Sequence, residues 1–187
     1  MKNFFYFVFI VIFVGVGIGV YEQISKKGKD FKRLECHKQT TTFERIFFEE
    51  PTINSAIKDL EANNYNIKSR IEFSKIMKSN LEGKITVEEL DEMLVDTISE
   101  YTFTQTSSNI SDKKTTIDYY LYENDKADSN KKNENAKKYA GYLMFDFKYN
   151  NKLVYKIQTD YMNMDGSDIQ QRMDCVIKSF TSINKGK

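Results

Sequence analysis

The segment FFYFVFIVIFVGVGIGVY, Phe4 to Tyr21, carries no charged residue and is the longest apolar run in the chain. As a helix it spans about 27 Å, close to the roughly 30 Å of a bilayer's hydrocarbon core. The apolar stretch of a cleaved secretory signal is usually shorter, about 7–15 residues. An uncleaved signal anchor over residues 1–21 is therefore expected, with the lipid bilayer as its partner. Gly17 and Gly19 also offer the small residues a signal peptidase requires, so cleavage before Val20 is the alternative. Gly15 and Gly19 form a G-x-x-x-G face on which two spans can pack closely, a route to a homodimer through the membrane.

Sidedness rests on two opposed signals. Only Lys2 precedes the span, whereas Lys26, Lys27, Lys29, Lys32 and Arg33 follow it, and the positive-inside rule alone would leave the domain in the cytoplasm. Against that, a short one-lysine tail opening into an apolar run is the layout of a signal anchor. The chain also holds two cysteines, Cys36 and Cys175, one near each end of its polar part. A pair of that kind fits one disulfide, and lasting disulfides belong to oxidising compartments. The expectation is a single-pass membrane protein with its N-terminus in the cytoplasm and its domain periplasmic or extracellular.

Residues 22–33, EQISKKGKDFKR, read as a polar tether, and 34–184 as one α+β domain. A domain of about 150 residues can bury a core without a metal. LECHKQTTTF reads as a first strand. Ile53, Ala56, Ile57 and Leu60 after Pro51 have the spacing of a helix face. A second helix is expected from Ile67 to about Asn80, with Ile71, Phe73, Ile76 and Met77 inward. A third follows Gly83, where Thr86 and Glu89 make a capping box ahead of Leu90, Leu94 and Ile98. TTIDYYLYE, YAGYLMFDFKY and KLVYKIQTDY alternate as half-buried strands, and YTFTQT is read as another. A two-residue turn at Asn150-Asn151 would set Phe145 against Lys156 and split the apolar set. A three-residue loop, which sets Phe145 against Ile157, is expected instead. The polar segment 124–138 reads as a mobile surface loop. Ser167 and Gln170 suggest a capping box for a last helix, with Ile169, Met173, Val176 and Phe180 inward and Cys175 on the flank. The fold class is thus an antiparallel sheet of four or five strands packed on helices, with Cys36 in the first strand bridged to Cys175 in the last helix.

Few residue patterns suit catalysis or metal binding. His37 is the sole histidine, and with Cys36 and one distant cysteine it falls short of a closed zinc site. As strand neighbours, Cys36 and His37 would point to opposite faces, which also defeats a nucleophilic dyad. KSNLEGKITVEEL resembles the second half of an EF-hand loop over about 13 residues, with Glu89 at the bidentate position. The first ligand position is Lys78, whose ammonium repels a cation, and a glycine turn with a capped helix explains the same residues. No nucleophile elbow, phosphate-binding loop or H-E-x-x-H motif occurs in the sequence. No catalytic residue, cofactor or metal is expected.

The aromatic residues point to binding. Tyr120, Tyr122 and Tyr142 fall on the outward side of their strands, and tyrosine is enriched at protein interfaces. A net charge of +1 supplies no field for nucleic acid. The expected function is a non-catalytic, tethered module that binds a protein or peptide in the cell envelope, as an adaptor or a toxin-neutralising immunity protein. Two other classes stand beside it, a pseudopilin-like structural subunit and a small hydrolase that uses paired carboxylates.

Overall fold

The computed structural model describes residues 34–40, 42–102, 114–129 and 137–183. The chain divides into two units, Met1–Lys32 and Arg33–Lys187, and every described residue belongs to the second. The expected anchor at 1–21 with Gly15 and Gly19, and the tether at 22–33, lie outside the described residues. Among the described residues, no helix is long and apolar enough to cross a membrane.

A 3-10 turn at Glu35–Lys38 leads into β1 (Thr42–Ile46), α1 (Glu50–Glu61), β2 (Tyr65–Glu72) and α2 (Val87–Ser99). Then come β3 (Thr115–Glu123), β4 (Gly141–Tyr149), β5 (Lys152–Tyr161) and α3 (Ile169–Ser182). The strands form one mixed sheet in the order β1-β5-β4-β3-β2. Only β2 and β3 run parallel, joined by the α2 crossover, and all other pairs are antiparallel. An all-antiparallel sheet was the expectation, and the parallel edge pair corrects it. Parallel pairing needs a long connection, and the segment carrying α2 provides it.

Alternation sets the two faces. Ile117, Tyr119, Leu121, Leu143, Phe145, Phe147, Tyr155, Ile157 and Tyr161 are buried, and the residues between them in β3 and β4 are only half-buried. The buried set meets Ile53, Ile57 and Leu60 of α1, Leu90, Leu94 and Ile98 of α2, and Met173, Val176, Ile177 and Phe180 of α3. Aromatic stacking runs through this layer, with Phe147 against Phe180 at 4.1 Å and Tyr119 against Phe145 at 4.8 Å between ring centroids.

Three local expectations change. Of the helix expected from Ile67 to about Asn80, residues 67–72 are strand and 73–80 form no helix. Ile67 and Ile71 fit a helical spacing and also fit alternation, and the register with Ile117 and Leu121 of β3 decides for the strand. The β4–β5 turn has two residues, Asn150 and Asn151, both at positive φ (51° and 61°), which is the geometry a two-residue hairpin needs. Yet Phe145 does pair with Ile157. A bulge resolves the conflict: Lys148 pairs with Leu153 and Phe147 with Tyr155, so Val154 is the extra residue that restores the buried set to one face. At the start of α3 the N-cap is Asp168, not Ser167, and the expected capping box is not formed there. The Thr86–Glu89 box of α2 is formed in both directions. Tyr101 and Thr102 follow the end of α2, and the rest of the expected strand at 101–106 lies outside the described residues.

Candidate functional site

Side chains that alternate with the core project from the other face of the sheet. Register places them in rows. One row runs Phe43, Gln158, Met144, Tyr120, Arg70 across all five strands. The next runs Asp160, Tyr142, Tyr122, Glu72. A third runs Arg45, Lys156, Asp146, Asp118, Lys68. In and beside these rows, Lys156 pairs with Asp146, Lys148 with Asp118 and Arg70 with Glu72, so much of the charge on the face is internally balanced.

The structure brings Tyr120, Tyr122 and Tyr142 together. Tyr122 and Tyr142 stack at 4.8 Å, and Tyr120 meets Tyr142 edge-on at 5.9 Å. The Arg70 guanidinium lies 4.1 Å from the centre of the Tyr120 ring, a cation–π contact. All three rings are half-buried, each by its neighbours on the same open face. Burial, aided by the hydrogen bond with Tyr120, pushes the Tyr142 phenol well above its ordinary value. Burial also raises Tyr122, helped by the negative charges of Asp125, Asp128 and Glu72. Tyr122 and Tyr142 therefore stay protonated at neutral pH and present an apolar ring with a hydroxyl at its tip.

The disulfide is formed. Cys36 and Cys175 are bonded, 139 residues apart, with their Cα atoms 5.8 Å from each other. Cys36 sits in the 3-10 turn and not in a strand, so the bridge ties the turn before β1 to α3. That geometry also corrects the placing of His37 on the opposite face. A 3-10 turn does not alternate, and His37 is buried beside the bridge, its Nε2 2.6 Å from the Ser179 hydroxyl.

Glu44 completes this cluster, with Oε1 4.0 Å from His37 Nδ1 and Oε2 accepting a hydrogen bond from the Tyr155 hydroxyl at 2.5 Å. The set resembles a Ser-His-acid relay in composition only. The Ser179 hydroxyl donates to the Cys175 carbonyl at 2.6 Å, so His37 donates to Ser179, the reverse of a base activating a nucleophile. Cys36, His37 and Cys175 bring ligand atoms within 4.8 Å of one another, but the two sulfurs are bonded to each other and are not thiolates. The cluster fastens the turn to the helix.

A second buried polar cluster lies at the far end of β3. Glu123 accepts from the backbone of Ser74 and Asn80 and from the Ser79 hydroxyl, and Asp125 accepts from the backbone N–H groups of Lys75, Ile76 and Met77. Burial raises the Glu123 carboxyl, but these hydrogen bonds outweigh it and hold the group below its ordinary range; Asp125 behaves alike. Ser79 and Asn80 of the segment resembling an EF-hand loop thus donate to Glu123, and the donors to Asp125 lie just before that segment. Glu89 meanwhile caps α2. Residues 124 and 125 open the segment read as a mobile loop, and both are buried. This anchor went unseen because its partners lie about 50 residues away.

Compared with known proteins, the chain matches no family model, no curated protein and no solved structure. What the fold and face define is an α+β domain, a mixed sheet covered by helices on one side and carrying a tyrosine cluster on the other.

Proposed function

We infer that this protein is a non-catalytic, membrane-anchored binding module whose open sheet face receives a protein or peptide partner in the cell envelope. The observation that carries the reading is the Tyr120–Tyr122–Tyr142 cluster on a face that none of the described helices covers. Rigid, amphipathic rings offer a large contact area at little entropic cost. Balanced charge around them favours a partner chosen by shape and aromatic contact over one drawn by a long-range field. The Cys36–Cys175 bridge supports an oxidising location, and the apolar segment Phe4–Tyr21 supports attachment by a single span with the N-terminus in the cytoplasm.

A photo-crosslinking amino acid in place of Met144, beside the tyrosines, tests the reading in intact cells. A discrete adduct is expected, lost in the Tyr120→Ala/Tyr142→Ala double variant and not obtained from the exposed helix position Glu92. Equal adducts from both positions, or an adduct indifferent to the tyrosine changes, would overturn it. Alkaline phosphatase fused to the C-terminus should be active, and an inactive, well-folded fusion would move the domain to the cytoplasm.

A further inference from the structure

The sheet has two edges, and they are built differently. On the β2 edge, the open-face side chains are Asn66, Lys68, Arg70 and Glu72, a polar row of the kind that discourages strand addition. On the β1 edge they are Phe43 and Arg45, with Phe47 just beyond the strand. Phe43 is 63% exposed, the highest value among the large apolar side chains of the described residues together with Ile76, and Phe47 and Phe48 are each 39% exposed.

The backbone of β1 is open as well. Phe47 N–H bonds the Val154 carbonyl, which fixes the odd-numbered residues of β1 as those paired to β5. The N–H and C=O groups of Glu44 and Ile46 therefore point away from the sheet, and among the described residues no strand lies beyond them.

We propose that β1 receives an extended peptide segment as a sixth strand, one that carries an acidic side chain flanked two residues away on each side by apolar ones. The backbone row of β1 supplies the hydrogen bonds, and alternate side chains supply the selection. Opposite Arg45 the added strand places its carboxylate. Among the described residues Arg45 makes no ion pair, and its guanidinium lies over the Phe47 ring, 5.0 Å from the centre. Lys156, its neighbour on β5, is already paired with Asp146. The two apolar side chains fall opposite Phe43 and Phe47. A cleft of about 480 Å3 beside Phe43 at the start of β1, lined by Thr40, Phe43, Tyr139 and Met162 among others, offers a seat for the apolar residue at that end. The added strand would lengthen the row that already runs Phe43, Gln158, Met144, Tyr120, so the edge and the tyrosine face can serve one partner. The edge stands without the tyrosine reading, and its test separates the two.

The full-length protein in nanodiscs is titrated with a fluorescent peptide, Thr-Ile-Thr-Asp-Thr-Ile-Thr, and with the same peptide carrying Lys in place of Asp. The Asp peptide should bind about tenfold tighter or more, and it should slow amide exchange over residues 42–48 and not over 65–72. Arg45→Glu should reverse the preference, Arg45→Gln should abolish it, and Phe43→Ala should weaken the Asp peptide by about tenfold. The Tyr120→Ala/Tyr142→Ala variant should bind it as before, so a failure here leaves the tyrosine face standing and the converse also holds. Absence of binding, protection at β2 instead of β1, or an Arg45→Glu protein that keeps the original preference would each overturn the proposal.

Discussion

Tyr119 and Tyr120 are adjacent in the chain and live in different environments. Tyr119 is sealed against Phe145, with its hydroxyl donating to Asp91 of α2. Tyr120 stands on the open face under Arg70, half-buried by its neighbours. The same residue type therefore does two jobs, set only by the direction in which the pleat turns it. Inward rings bury area and lock the helices to the sheet. Outward rings cover one another and keep their edges available. The lesson is that aromatic content does not separate core from binding surface here; register does.

The largest effect should come from the inward layer. Phe147 is fully buried between Phe180, Tyr155 and Phe145, so Phe147→Ala leaves a cavity that three rings border. A loss of about 3–5 kcal/mol is expected in urea unfolding. A loss under 1 kcal/mol would mean that the inward stack is not what joins sheet and helices. Removal of the bridge comes next. Cys36→Ser with Cys175→Ser frees a closure of 139 residues and should cost about 2–4 kcal/mol, measured the same way. Because the cluster of His37, Ser179, Glu44 and Tyr155 also fastens the turn, the reduced chain should stay folded, with β1 the first strand to exchange its amides.

How much of this was legible in the sequence follows from the range of each interaction. Strict alternation in β3 and β4 exposed both faces, including the outward position of Tyr120, Tyr122 and Tyr142. The Thr86–Glu89 cap is a local signal and was readable as one. The pairing of Cys36 with Cys175 was readable because no other cysteine competes. By contrast, Ile67 and Ile71 satisfy two periods at once, and only their parallel partner β3 settles the matter. At the Asn150-Asn151 turn the apolar pattern points to the right register and the wrong loop length, since an interior bulge at Val154 has no signature in composition. His37 and Glu123 were missed for one reason: their hydrogen-bond partners lie 142 and up to 49 residues away, and a polar residue gives no hint of such a distant partner.

Charge sharpens the contrast between the faces further. Paired charges on the open face are partly exposed and contribute little. Glu123, at the end of β3, and Asp125 beside it are instead buried and held by backbone and hydroxyl donors, which keep both carboxyls below their ordinary values of 4.5 and 3.8. A carboxyl lowered by folding stabilises the native state above its unfolded value, and that contribution is lost as the pH falls through the folded one. Acidification below about pH 4 should therefore release residues 74–80 before the sheet opens. NMR shifts of the Lys75, Ile76 and Met77 amides should titrate together in this range. If they stay constant down to pH 2 while the open-face ion pairs respond, the carboxylates are not what holds this loop.

The smallest effect on stability should fall on the open face, and there it carries the most meaning. Tyr142→Ala removes one stacked contact and one edge contact among half-exposed rings and opens no cavity in the inward layer. A change of about 1 kcal/mol or less is expected in urea unfolding. The same substitution should abolish the crosslink to the partner. A residue kept for folding would show the opposite ratio, a large loss of stability with binding reduced only as far as the folded fraction falls. Measured on the same preparation as Phe147→Ala, the pair of numbers decides whether the pleat divides this sheet into a structural side and a binding side, or whether both sides serve only to hold the domain together.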